Sequence, residues 1–311
     1  GGGVSGGPPP PPPRRAGLPF TAYLRRLTRD GRGRLRLAGG TALAALLLVV
    51  ATPPAPAAPV APTLSFLDVG EGAATLIQIP HGPTVLVDAG PAPLTDLLRA
   101  HGVGGIDLVV LSHGHSDHVA GLSDVIGKLP ITAAVLPRPP TPSHALDELA
   151  SELREHGCAV RRCSSPLTLV AGPLGLEVLP TAAQESEANQ SENDHALVVV
   201  ARLGGQAVLL PGDAETPALR PLGLSGLAFV ELPHHGSADG FDETLLREYR
   251  PRLGIASVGE DNSYGHPSET MLRLMAAAGV PLLRTDQVGE IDLVLGTAGL
   301  EVRVARPPPS G

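Results

Sequence analysis

The stretch His113-Gly114-His115-Ser116-Asp117-His118 places three imidazoles and one carboxylate within six consecutive residues. Nitrogen and oxygen donors at this density suit zinc or a neighbouring transition metal. The apolar run 106–111 before them reads as a buried strand. A turn at its end would send His113 and His115 to one side while Asp117 and His118 open a helix over 119–129. The blander reading is a polar loop whose histidines cap that helix or face solvent.

Further polar motifs punctuate the chain. They are Asp68-Val69-Gly70-Glu71-Gly72, Val87-Asp88-Ala89-Gly90, Asn193-Asp194-His195, Pro211-Gly212-Asp213, Pro233-His234-His235-Gly236-Ser237 and Asn262-Ser263-Tyr264-Gly265-His266-Pro267. The H-x-H-x-D-H pattern resembles the signature of the metallo-β-lactamase superfamily. In their order, the motifs from residue 64 to about 295 resemble the C-terminal hydrolase domain of the ComEC family of bacterial DNA-uptake channel proteins.

That resemblance implies an αββα four-layer sandwich of α/β class and two divalent cations, with zinc as the first choice and manganese as the alternative. Two clusters of nitrogen and carboxylate ligands about 3.5 to 4 Å apart would hold a hydroxide between the cations. His113 and His115 would serve the first cation, Asp117 and His118 the second, and Asp213 would bridge them. The last ligand comes from the loop after Pro233. The superfamily's P-x-H-G pattern favours His235, whereas the position first past the strand favours His234, and both stay open. His195 stands where such proteins often supply one more imidazole, although Asn193 and Asp194 could simply shape a turn there. Asp88 reads as the residue that orients a ligand histidine through its free ring nitrogen, or as an Asx turn before Gly90. Tyr264 and His266 could contact a phosphate or leaving group, or mark a rigid turn. Family members commonly carry Gly-Gln-Gly-Asp where this chain has Gly70-Glu71-Gly72-Ala73, so a carboxylate is missing and a glutamine is replaced by glutamate.

The elements that must position these side chains are short. Strands are expected over 64–69, 75–79, 84–87, 106–111, 130–137, 197–203, 206–210, 227–232, 253–258, 282–285, 290–295 and 300–304, the last three completing a second sheet. Helices are expected over 93–101, 146–156, 243–249 and, capped by Ser268, to 278. Between 167 and 190 the pattern weakens, and 181–192 reads as a polar loop.

Apolar residues make up 42% of the 311, enough for a substantial core, while Trp is absent, so Leu, Val, Ile and Ala must fill it. Lys128 is the single lysine. Residues 1–60 carry eight Arg and one Asp, leaving fifteen basic against thirty acidic residues afterwards. An acidic globular part argues against tight unaided binding of duplex nucleic acid. Cys158 and Cys163 could form a local disulfide in an exported domain or remain thiols.

Residues 1–36 read as a disordered Gly/Pro-rich and basic segment. Residues 37–52 read as a transmembrane anchor or the apolar centre of a signal peptide, with a buried element of a soluble protein as the third reading. Residues 53–62 read as a Pro-rich linker, 63–305 as the hydrolase domain and 306–311 as a disordered tail. The arginines would stay inside, placing the hydrolase domain outside the cell membrane, anchored or secreted. The resemblance implies DNA, single-stranded or duplex, as substrate, the membrane as partner and a channel domain upstream in the same or another chain. Two other classes fit the same residues: a hydrolase of lactone, lactam or phosphorylcholine esters, and a catalytically silent channel-docking domain.

Overall fold

The computed structural model describes Leu18–Pro19 and residues 58–139, 142–181 and 192–307. Most of the expected disordered segment, the apolar segment 37–52 and the first half of the linker lie outside the described residues. So does the end of the tail, whose first residue, Arg306, still donates its backbone N–H to the Val288 carbonyl. Among the described residues no helix is long and apolar enough to cross a membrane.

Strand β1 (Leu18–Pro19) lies parallel to β8 (Leu167–Ala171) at the edge of one sheet. The other sheet starts as an antiparallel meander of β2 (Thr63–Phe66), β3 (Thr75–Gln78) and β4 (Thr84–Val87). It then turns parallel through β5 (Ile106–Val110), β6 (Ile131–Pro137) and β7 (Ala159–Cys163). Helices Thr95–Ala100, Ser116–Val125 and His144–Glu155 make the crossovers that parallel pairing demands. The β8 sheet repeats this plan. Strands β8, β9 (Leu174–Pro180), β10 (Leu197–Leu203) and β11 (Gln206–Leu210) run antiparallel. Strands β12 (Leu227–Glu231), β13 (Leu253–Ala256) and β14 (Leu282–Arg284) follow in parallel, with helices Glu243–Tyr249 and Glu269–Ala277 between them.

Burial follows the two-residue period of the strands. Leu108 and Val110 of β5 face the core between the sheets with Val199 and Ala201 of β10, while Val109 packs outward under Leu122 and Val125. Val198, Val200 and Val230 pack against Leu245, Leu246 and Met271 on the opposite face. Three apolar cores separating four layers make the αββα sandwich. Ser268 caps its helix as expected, its hydroxyl accepting the Met271 N–H, and Asp242 caps Glu243–Tyr249 through Leu245.

Three expectations need correction. The weak region after 167 holds β8 and β9, and β7 precedes them; β8 and β9 alternate buried with part-exposed residues and β7 is part-exposed over most of its length, so all three lack the apolar runs that mark the centre. The closing hairpin, β15 (Ile291–Gly296) and β16 (Gly299–Val304), does not complete the sheet of β14. It crosses back and pairs β15 with β2. The helix after the histidine motif spans Ser116–Val125, so Asp117 and His118 sit inside its first turn.

Cys158 and Cys163 are both buried free thiols. Cys158 packs in the helix-side core and Cys163 in the core between the sheets, so the sheet itself separates them. Burial pushes the Cys158 thiol up to about 12. Ellman titration of the folded protein should therefore release little colour, and both thiols should react once it is unfolded in denaturant without reductant. A reading of no thiols after unfolding would show a disulfide.

Candidate metal centre

Parallel strands share one direction, so the loops after their C-terminal ends emerge at one edge of the sandwich. Five such loops, after β4, β5, β11, β12 and β13, carry Asp88, the 112–118 motif, Asp213, the His234-His235 pair and Ser257.

The 112–118 loop is held from below. Asp88, buried and in left-handed backbone (φ 56°), accepts the Ser112 N–H at 2.7 Å and the Ser112 hydroxyl at 2.7 Å. It also takes Nδ1 of His118 at 2.8 Å. A carboxylate only accepts, so His118 carries a proton on Nδ1, which leaves Nε2 as the nitrogen turned towards the second group. The Ser112 oxygen, having donated to Asp88, accepts from Nδ1 of His113 at 2.9 Å. One carboxylate thus sets the tautomer of two imidazoles, one of them through a serine.

Asp213 follows β11 in the turn Pro211-Gly212-Asp213. Gly212 has φ 55°, and a Cβ there would lie 2.6 Å from the Ser112 Cβ, so only glycine lets the two loops approach this closely. The approach puts Asp213 Oδ2 3.3 Å from His113 Nε2 and 4.0 Å from His115 Nδ1. Its Oδ1 lies 2.9 Å from His118 Nε2 and 3.8 Å from His235 Nε2. Asp117 Oδ2 closes the second group, 3.3 Å from His235 Nε2.

The turn Pro233–Gly236 separates the paired imidazoles, because His234 (φ 49°) and His235 (φ 55°) are both left-handed. Such backbone is costly for non-glycine residues and concentrates at functional sites. His235 donates Nδ1–H to the Ser257 carbonyl at 2.8 Å, which leaves Nε2 for the second group. His234 bonds Glu215 through Nδ1 at 2.9 Å, and its Nε2 stands 3.6 Å from Asp213 Oδ2.

Two sets of donors therefore converge, each within 4.8 Å: His113, His115 and Asp213, and Asp117, His118, Asp213 and His235. Three observations fit them to cations. Both Asp213 oxygens and His113 Nε2 are buried without a hydrogen-bond partner among the described residues. His118 Nε2 and His235 Nε2, whose other ring nitrogens are already committed, face each other at 3.3 Å. Two imidazole donors on one tetrahedral zinc with bonds of about 2.05 Å stand about 3.3 Å apart.

The electrostatics agree. Burial alone would raise the Asp213 carboxyl, but His118 and His113 outweigh it and hold the group well below the usual carboxylate range. Burial likewise opposes ionisation of Asp117, and His235 and His118 bring it down to about 2. Burial pushes His113 down, whereas Asp213 and Asp88 raise His118 despite its complete burial.

The other expected site residues lie beside these groups. The His266 ring stacks on that of His235 at 6.2 Å and meets that of His234 edge-on at 5.6 Å, centroid to centroid. Tyr264, 75% exposed, stacks on His266. His195 belongs to neither group; it ends the short helical turn Glu192–His195, whose Glu192 carboxylate accepts the Gly114 N–H at 3.0 Å. Sequence reasoning missed Ser112, Glu215 and Ser257. Only adjacency to a motif could have suggested the first two, and nothing marks Ser257, whose backbone carbonyl is the working atom.

The profile of the Metallo-beta-lactamase superfamily matches residues 67–259, over half of the chain. Among curated relatives, ComE operon protein 3 of Bacillus subtilis (strain 168) is 24% identical over 253 residues, covering 73% of this chain and 32% of that protein. Competence protein ComA of Neisseria gonorrhoeae is 28% identical over 248 residues, 77% of this chain and 33% of its own length. The chain thus spans about a third of the length of these relatives. Among solved structures, the metallo-beta-lactamase fold protein YhfI from Bacillus subtilis superposes with a TM-score of 0.50 at 14% identity, covering 72% of this chain and 96% of that one. With the profile, the sandwich and the convergent His and Asp residues in agreement, the chain belongs to the metallo-beta-lactamase superfamily and has competence proteins among its relatives.

Proposed function

We propose that this domain is a metal-dependent phosphodiesterase that cleaves DNA on the outer side of the membrane during DNA uptake. The observation that carries the reading is the buried Asp213 carboxylate, whose two oxygens face two separate sets of nitrogen donors. The competence relatives support DNA as the polymer. The arginine-rich stretch before the apolar segment 37–52 supports an extracytoplasmic position, and relatives three times longer leave room for a channel domain in the whole protein.

In this reading His113, His115 and Asp213 hold one divalent cation, and Asp117, His118, Asp213 and His235 hold the other, with zinc the first choice for the donor set and manganese the second. Such a pair supplies Lewis acidity that acidifies water and offsets charge building on phosphorus. The chain's own part is to aim the donor nitrogens. Asp88 does this for His118 directly and for His113 through Ser112, and the Ser257 carbonyl does it for His235. His266, whose ring stacks on that of His235, and Tyr264 behind it would meet the phosphate or the departing oxygen. The surplus of acidic residues weakens unaided DNA binding, and tethering to a channel that delivers the strand would replace that affinity.

Protein stripped with chelator and reloaded should take up about two equivalents of zinc or manganese, and Asp213→Ala should lose both sites because its carboxylate is shared. Elemental analysis after gel filtration checks this; a variant that retains both ions would refute the bridge. Asp88→Ala should weaken metal binding about 10- to 100-fold with the fold intact, measured by competition with a chromophoric chelator. Hydrolysis of single-stranded and duplex DNA should depend on the reloaded metal and fall to background in Asp117→Ala. Turnover of a lactone or β-lactam chromogen in place of DNA would overturn the substrate assignment, and full loading without turnover of any ester would overturn the enzyme assignment.

A further inference from the structure

Glu71 lies outside both donor groups, in the loop between β2 and β3, yet it reaches the loop after β13. Its Oε2 accepts the Gly259 N–H at 2.9 Å. A Cβ on residue 259 would lie 2.6 Å from the Glu71 backbone nitrogen, so the contact is built for glycine. The other oxygen, Oε1, faces Nδ1 of His266 at 3.5 Å. Both atoms are buried, and neither has a hydrogen-bond partner among the described residues. The imidazole cannot turn away easily. Asn262 clamps its backbone from both sides, donating to the His266 carbonyl and accepting the His266 N–H, each at 2.9 Å. Its ring lies between the rings of Tyr264 and His235.

We propose that Glu71 is a positioning residue that fixes His266 as the tautomer with its proton on Nδ1, so that Nε2 offers a lone pair beside the metal centre. An ionised carboxyl offers acceptors only. With Oε2 given to Gly259, a lone pair on Nδ1 would face the lone pairs of Oε1 in a buried space, which costs the desolvation of both groups. A proton on Nδ1 removes that conflict, and closing the gap by about 0.5 Å completes an ordinary N–H···O bond.

A glutamine at this position predicts the opposite outcome. Its single carbonyl oxygen would serve the Gly259 N–H, and its amide N–H would donate to Nδ1, forcing the proton onto Nε2. The exchange of one side-chain atom, from NH2 to O, thus converts the His266 Nε2 from hydrogen-bond donor to acceptor. An acceptor there suits a water or hydroxyl donating towards it, whereas a donor suits an anionic oxygen. The chemical use of Nε2 rests on the hydrolase reading above; the tautomer does not.

The test is long-range 1H–15N correlation on the zinc-loaded full chain carrying 15N-histidine, with His266 assigned by its loss in His266→Asn. The wild-type ring should show a protonated Nδ1 and a lone pair on Nε2, and Glu71→Gln should reverse the two while binding the same amount of zinc. On a phosphodiester substrate Glu71→Gln should lower kcat about tenfold and change KM less than about twofold. A proton on Nε2 in the wild-type protein would overturn the proposal, as would one tautomer in both proteins; the wild-type spectrum alone decides should the variant fail to fold. Reversal without turnover in either protein would uphold the tautomer assignment and count against the hydrolase reading alone.

Discussion

A carboxylate with 1% side-chain exposure and, among the described residues, no hydrogen bond to either oxygen is the constraint around which this edge of the molecule is built. Burying such a charge costs several kcal/mol unless positive charge meets it. Asp213 is met from two directions, by His113 and His115 at one oxygen and by His118 and His235 at the other. Those imidazoles cannot all compensate it by holding protons, because burial drives His113 towards its neutral form. Cations between the donors would answer both demands together. The same loops would be poorly stabilised by hydrogen bonding alone.

The protein secures this arrangement by fixing protons as well as atoms. Asp88 accepts from Ser112 and from His118, Ser112 passes the orientation to His113, and the Ser257 carbonyl plays the corresponding part for His235. Ser257 is in turn held by its hydroxyl on Glu231, a carboxyl that burial pushes up to about 7. These links join β4 to β5 and β12 to β13, so the two sheets contribute equivalent support from opposite sides of the centre. The repeated plan of the sheets, a meander followed by parallel strands, explains why the supports match. Each half delivers its parallel strand ends to one rim, and the core between the sheets keeps the halves in register.

Around this centre stand two further imidazoles, each facing a glutamate through Nδ1. His234 bonds Glu215, which also accepts the Ser237 hydroxyl, and His266 faces Glu71. Neither belongs to the donor groups. Imidazoles set by carboxylates around a metal centre would carry their protons in fixed positions, which would preorganise such a site without moving parts. The half-exposed His115 and the exposed Tyr264 mark the side left open to solvent.

The sequence by itself determined the elements whose signal is local. The apolar runs of the central strands, the Ser268 cap and the H-x-H-x-D-H motif are legible because periodicity, capping and donor density need no knowledge of distant residues. It also offered Asp213 as a candidate bridge, and the folded chain turns its two oxygens to two separate donor sets. Only the tertiary structure decided between His234 and His235 for the second group, since two consecutive left-handed residues send adjacent rings to different places. It left His195 out of both groups, and it returned the closing hairpin to β2 although chain order points to β14. Strands β7 to β9 escaped reading because, lying towards the ends of their sheets and part-exposed, they lack the continuous apolar pattern of buried ones. Ser112 and Ser257 act through hydrogen bonds between neighbouring strand ends of one sheet, and Glu71 through a bond to Gly259 that exists only once the two sheets have packed.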